Sequence, residues 1–209
     1  MKILNTVFRA SIFLFSSSLF AMPITFDLRD SSIEAIDEVN SFSLTLSGIT
    51  ATLSALPSTW VDNTGVTRNL LLNRTSRGFG VNVDGVANTK GCSTEDSDGI
   101  DDGCIVEGIK VDFTQAYILE SFRVSSFGST DEGVIDFFEP GLTDISVTST
   151  GTTAAGQTTS SFTLWWVAGN GFSFDSFTVS AVPEPTVIAL FGLGLFSLWL
   201  VRRKRLTDK

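Results

Sequence analysis

Residues Ser41–Leu53 read SFSLTLSGITATL. Phe42, Leu44 and Leu46 alternate with Ser41, Ser43, Thr45 and Ser47, and beyond Gly48 the alternation resumes as Ile49, Ala51 and Leu53. A period of two gives an extended chain one apolar and one polar face, the pattern of a strand half buried in a sheet. The phase break at Gly48 predicts a bulge or a turn there, because glycine tolerates backbone angles that other residues avoid.

The same reading extends along the chain. Ile109, Val111 and Phe113 alternate with Lys110 and Asp112. Further apolar runs follow at Phe122–Val124, Val134–Phe138, Ile145–Val147 and Phe162–Val167, and then at Phe172, Phe174, Phe177 and Val179. Turn chemistry separates them: Asp62–Gly65, Asp84–Gly85, Asp131–Gly133, Pro140–Gly141 and Gly169–Gly171. Ser31–Asn40, with Ile33, Ile36 and Val39, predicts a short helix, and the Thr/Ser/Gly/Ala-rich stretch Thr148–Ser161 predicts a loop. Many short strands with Gly-rich turns predict a mainly β fold, an antiparallel jelly-roll-like β-sandwich over residues 22–181. About 160 residues are enough for one domain with a sizeable core.

Charge narrows the partners. Of the 23 acidic side chains only Glu184 and Asp208 lie outside residues 22–181, whereas the bases inside that span are Arg29, Arg68, Arg74, Arg77, Lys90, Lys110 and Arg123. So acidic a body repels nucleic acid and anionic lipid and accommodates divalent cations. The chain has no His, so neither a Ser-His-Asp nor a Cys-His arrangement can be built. Paired carboxylates for glycoside hydrolysis remain, but acids are so abundant that no pair is diagnostic. The expectation is a protein that is not an enzyme.

Cys92 and Cys104 enclose an acidic loop, GCSTEDSDGIDDGC over residues 91–104. In an exported body the two are expected to form a disulfide, worth about 3 kcal/mol for so short a loop. With no His and no further Cys, zinc is disfavoured. Inside the loop Glu95, Asp96, Asp98, Asp101 and Asp102 crowd together. Asp96, Asp98 and Asp102 around Gly99 have the alternation that calcium loops use, without the full EF-hand spacing. Two readings stand: a calcium site, or a solvated acidic loop held by a disulfide.

Trp165 and Trp166 are neighbours on a strand and therefore point to opposite faces. An exposed indole offers a flat surface to a sugar ring, while a packed one only fills the core or covers an edge. The 18 phenylalanines read mostly as core. Thr143–Thr163 is rich in Thr but lacks the regular Thr-x-Thr ladder that ice binding would require.

The two ends carry different information. Lys2 and Arg9 precede a short apolar run, Ala10–Phe20, the layout of a secretory signal peptide over residues 1–21. Cleavage after Ala21 places Leu19 at the position that prefers a small residue, so a cut after Ser18 stays open. At the other end Thr186–Val201 holds 16 uncharged residues. As a helix they span about 24 Å, a little short of a ~30 Å hydrocarbon core, and snorkelling of Arg202 and Arg203 makes up the difference. A single transmembrane helix over 186–201 is expected, with the cations of the 202–209 tail cytoplasmic and the body outside. Pro183 and Pro185 keep the preceding stretch extended and unable to pair in a sheet, as a processing enzyme requires of its substrate.

Val-Pro-Glu-Pro at 182–185, an apolar helix containing Gly-Leu-Gly, and the cations Arg202, Arg203, Lys204 and Arg205 resemble, in that order, the PEP-CTERM sorting signal of bacterial exosortase substrates. The resemblance covers residues 182–209. It implies that Pro183, Glu184 and Pro185 mark the processing site for an exosortase-like membrane transpeptidase. It also implies anchoring in the inner membrane before processing and a cell-surface or extracellular destination in a bacterium that makes extracellular polysaccharide. A second likeness concerns RGFGVNVDG (77–85), IDDG (100–103) and GIKVDFTQAYILESFRVSSFG (108–128), which resemble the β-sandwich ectodomains often found ahead of this tail. It implies a fold and no activity. The expected function is that of an exported, non-enzymatic surface or matrix protein, the alternative being a calcium-assisted carbohydrate-binding module.

Overall fold

A computed structural model describes residues 22–30, 39–61, 66–75, 78–83, 100, 106–182, 192 and 194–199. Met22–Ala181 form one compact unit, and Met1–Ala21 with Val182–Lys209 form another. Among the described residues of the first unit the chain makes eleven strands. They are β1 (Ile24–Asp27), β2 (Ser41–Leu46), β3 (Ile49–Leu56), β4 (Thr59–Val61), β5 (Thr67–Thr75), β6 (Gly78–Val83), β7 (Gly108–Ser125), β8 (Glu132–Asp136), β9 (Ile145–Val147), β10 (Gly151–Ala168) and β11 (Ser173–Ala181). The strand order is β4-β5-β6-β11-β7-β10-β8-β9, with β1 added on β11, and β3, carrying β2, added on β7. Every pairing is antiparallel, so the mainly β expectation holds.

The stretch that opened the reading is a hairpin. Its register runs from Ser41↔Ser54 to Leu46↔Ile49, and the break at Gly48 is a two-residue turn. Ser47 and Gly48 both have positive φ, 50° and 82°, as the tight hairpin turn that matches strand twist requires. Ala51, Leu53 and Ala55 are buried. On the other face the hydroxyls pair, Ser43 with Thr52 at 2.9 Å and Thr45 with Thr50 at 2.8 Å.

Strand β7 organises the sheet. Its first half pairs with β3, from Ala51↔Phe113 to Leu56↔Gly108. Its second half pairs with β11, from Ser173↔Ser125 to Ala181↔Tyr117. Strand β10 follows it along both halves, with irregularities between Ala154 and Gln157 and between Thr159 and Ser161. This corrects the loop expected over Thr148–Ser161: from Gly151 onward it is strand. Its residues carry no apolar alternation, so the pattern was invisible in sequence, and pairing with β7 supplies the order that side-chain hydrophobicity does not. Gly156, at φ 66°, accommodates the first irregularity.

The core is aromatic. Phe26 stacks on Phe177 with centroids 4.7 Å apart, and Phe162 meets Phe177 edge-on at 5.8 Å. Phe42 of β2 stacks on Phe79 of β6 at 5.7 Å, so strands remote in the sheet order face each other across the core. Offset and edge-on pairs of this kind add about 0.5–1.5 kcal/mol each beyond the area they bury.

Two local expectations change. Gly133, read as part of a turn, lies inside β8 opposite Trp166. The turn falls earlier, at Ser129–Thr130. Gly133 is instead a contact point: a Cβ there would sit 2.6 Å from the Phe172 ring. The helix expected over Ser31–Asn40 falls on residues 31–38, outside the described residues. At its end Val39 exchanges two backbone hydrogen bonds with Leu72.

Candidate functional site

The sorting residues Pro183, Glu184, Pro185, Arg202, Arg203, Lys204 and Arg205 lie outside the described residues. So does most of the span 186–201. The described part, Gly192 and Gly194–Trp199, is helical. Its large side chains Leu195, Phe196, Leu198 and Trp199 are all exposed, Leu198 at 68%. Consecutive apolar side chains cover more than one side of a helix, which suits hydrocarbon rather than water. Phe196 stacks on Trp199 one turn later, at 5.9 Å. Among the described residues no helix is long and apolar enough to cross a membrane.

Cys92, Cys104, Asp96, Asp98 and Asp102 also lie outside the described residues. One member of their loop is described. Ile100 is fully buried. Its N–H donates to the Phe172 carbonyl at 2.7 Å, and the Phe172 N–H donates back at 3.2 Å. Ile100, which lies between Asp98 and Asp102 in sequence, is therefore held against the core. Only the apolar character of Ile100 among acids signalled this in sequence. Among the described residues no group of acids and cysteines is arranged to hold a metal ion.

Trp165 and Trp166 are both half-buried and sit on opposite faces of β10. Trp166 packs against the core cluster. Its backbone N–H donates to the Glu107 carbonyl at 3.0 Å, while its indole Nε1 is buried without a hydrogen-bond partner. Trp165 belongs to the outer row Leu56–Gly108–Trp165–Val134. Its ring lies over Gly108, where a Cβ would meet three indole carbons at 2.6–3.0 Å. Glycine at 108 thus lets the indole lie flat on the sheet. The next outer row carries Lys110, Thr163 and Asp136. Lys110 Nζ is 2.8 Å from Asp112 Oδ1. Burial pushes the Asp136 carboxyl up, and the nearby Asp144 carboxylate adds to the effect.

A second charged centre was not anticipated. Asp175 of β11 is fully buried. Ser125 Oγ donates to its Oδ1 at 2.5 Å. Arg29 Nη1 and Arg123 Nε each approach its Oδ2 at 3.5 Å. Burial raises the Asp175 carboxyl, and the Ser125 hydrogen bond and the two guanidiniums offset this only in part. The sequence signal was a lone carboxylate inside the phenylalanine run 172–177. The centre joins Arg29, the residue after Leu28, to β7 and β11.

Comparison with known proteins adds one match. A family model described as the PEP-CTERM protein-sorting motif matches residues 181–205. No curated protein and no solved structure matches the chain. The match begins at the last residue of β11 and spans the Pro-Glu-Pro stretch, the apolar run and the cations Arg202–Arg205. The chain therefore carries, directly after its β body, the PEP-CTERM motif of exported proteins sorted by an exosortase.

Proposed function

We propose that residues 22–181 are a non-enzymatic surface or matrix module, a jelly-roll-like β-sandwich, delivered by the C-terminal motif. The observation that carries this reading is the match over residues 181–205. The exposed apolar side chains of Gly194–Trp199 support a membrane-held tail before processing. The stacking of Phe42 on Phe79 supports two sheet layers. The absence of His from the sequence supports a module without Ser-His-Asp or Cys-His chemistry. In this reading an exosortase-like transpeptidase cuts near Pro183–Pro185 and releases the basic tail, and the body ends at the cell surface or outside the cell. Mass spectrometry of the protein from its native host tests it. The mature form is expected to lack Arg202–Lys209, and deleting the sortase should restore the tail. Intact tail peptides in all mature material would refute the reading.

A second reading is a carbohydrate-binding module, assisted by calcium at Asp96, Asp98 and Asp102. The flat placement of Trp165 over Gly108 favours it.

A further inference from the structure

We propose that the outer face of β7, β10 and β8 between Trp165 and Phe138 binds a neutral polysaccharide chain. The inference rests on the carbohydrate-binding reading and supplies the surface and ligand chemistry for it.

Trp165 lies flat on Gly108 beside Val134. Phe137 is buried, and Phe138 stands clear of the sheet at 57% exposure, so the alternation of β8 continues past Asp136. Asp136 and Phe138 therefore share the outer side with Val134 and Trp165. Phe138 lies four positions beyond Val134, about 13 Å along an extended strand. A pyranose chain offers C–H faces to aromatic rings and hydroxyl edges to acceptors, and this face has an aromatic group at each end and polar groups between them. Thr163, in the intervening row, is fully buried, so the polar groups this row offers are those of Asp136 and Lys110. Asp136 beside Thr163 presents carboxylate oxygens that accept from hydroxyls.

Charge selects the class of chain. Lys110, the cation of this row, is already held by Asp112 at 2.8 Å. Asp136 has Asp144 as its charged neighbour. A uronate or sulfated chain meets like charge here, and a neutral one does not. The contacts need no metal ion.

Affinity electrophoresis of the detergent-solubilised full-length protein tests the proposal. Native gels would contain hydroxyethyl cellulose or glucomannan as neutral chains, polygalacturonate as the anionic chain, or no polysaccharide. Retardation is expected in a neutral gel, undiminished by a calcium chelator, and absent in polygalacturonate. Trp165→Ala and Phe138→Ala should each weaken it tenfold or more. Phe138 is exposed, so its variant keeps the fold even if the Trp165 variant does not. Retardation unchanged by Phe138→Ala but abolished by chelator would overturn this face and leave the calcium-assisted module standing. Preference for polygalacturonate would overturn the charge argument, and no retardation in any gel would overturn both face and module. A concentration-dependent dimer lost in Phe138→Ala would assign the face to a second copy of the chain and overturn the proposal.

Discussion

Asp131 accepts the backbone N–H of Asn170 at 2.7 Å, across 39 positions of sequence. Its other carboxylate oxygen accepts the N–H of Gly128. One buried side chain thus ties the turn before β8 to the turn after β10, and Gly169 leaves room for it, since a Cβ there would lie 2.1 Å from Asp131 Oδ1. Removing a buried acceptor leaves both donors unsatisfied, at about 1–3 kcal/mol each. Asp131→Ala should therefore lower stability by about 2–4 kcal/mol in urea unfolding, and Asp131→Asn by less. A loss below half a kcal/mol for the alanine variant would show that water replaces the carboxylate.

Gly133 faces the Phe172 ring, with a Cβ position 2.6 Å from Cζ and 3.1 Å from the Trp165 carbonyl. The carbonyl is backbone and cannot yield by rotamer change. Gly133→Ala should cost about 1–3 kcal/mol through overpacking. At about 2–4 °C per kcal/mol for a domain of this size, the melting temperature should fall by several degrees. Gly141→Ala provides the contrast. Nothing lies within 4 Å of its Cβ position, and its φ of 91° makes it a test of backbone strain alone.

Two carboxylates should impose opposite pH slopes. Asp175 is raised by burial above its ordinary 3.8. The folded state then holds its proton more tightly than the unfolded state. Its contribution to stability is greatest below pH 3.8 and is lost as the pH rises through the folded value. For Glu139, burial works upward but is outweighed by hydrogen bonds from Ser160, Thr159 and Ser161, which hold it below 4.5. Its contribution is present above pH 4.5 and lost as the pH falls through the folded value. Stability of the wild type relative to Asp175→Asn should decline as the pH rises from 3.8, and relative to Glu139→Gln it should grow. Parallel slopes for the two variants would contradict the assignment.

The acidic loop gives a chemical prediction. Thiol labelling of unreduced protein should find neither Cys92 nor Cys104 reactive. If Asp96, Asp98 and Asp102 hold calcium, the melting temperature should rise more in millimolar calcium than in magnesium at equal ionic strength, and Asp98→Ala with Asp102→Ala should remove the difference. Equal responses to both ions would make the loop a solvated face.

Much of the sheet was legible where one face is apolar. Residues 41–53 announced the β2–β3 pair, and 145–147 marked β9. The first half of β10 was illegible because Thr, Ala, Gly and Gln give no contrast between faces, and a partner strand supplied the order. The turn near Asp131 was displaced because Gly133 serves a ring rather than a bend. At the candidate site, strand parity separated Trp165 from Trp166. It did not say which faces outward, since that depends on the glycine at 108, which pairing with β7 brings beneath the indole. Asp175 was hidden for the same reason. Its partners Arg29, Arg123 and Ser125 come from distant parts of the chain.

The body's first strand pairs with its last. Ile24 lies opposite Val179, and Asp27 opposite Ser176. A chain exported N-terminus first delivers β1 long before β11. Until nearly all 209 residues have been synthesised, β1 has no partner strand and Phe26 has no Phe177 to stack on. Pairing across such sequence separation is slow, because loop closure must come before the contacts that reward it. The sheet is thus completed only when β11 emerges, immediately ahead of the sorting motif. A chain that lacks β11 therefore leaves β1 without the strand it pairs with, and the sorting motif follows that last strand directly in sequence.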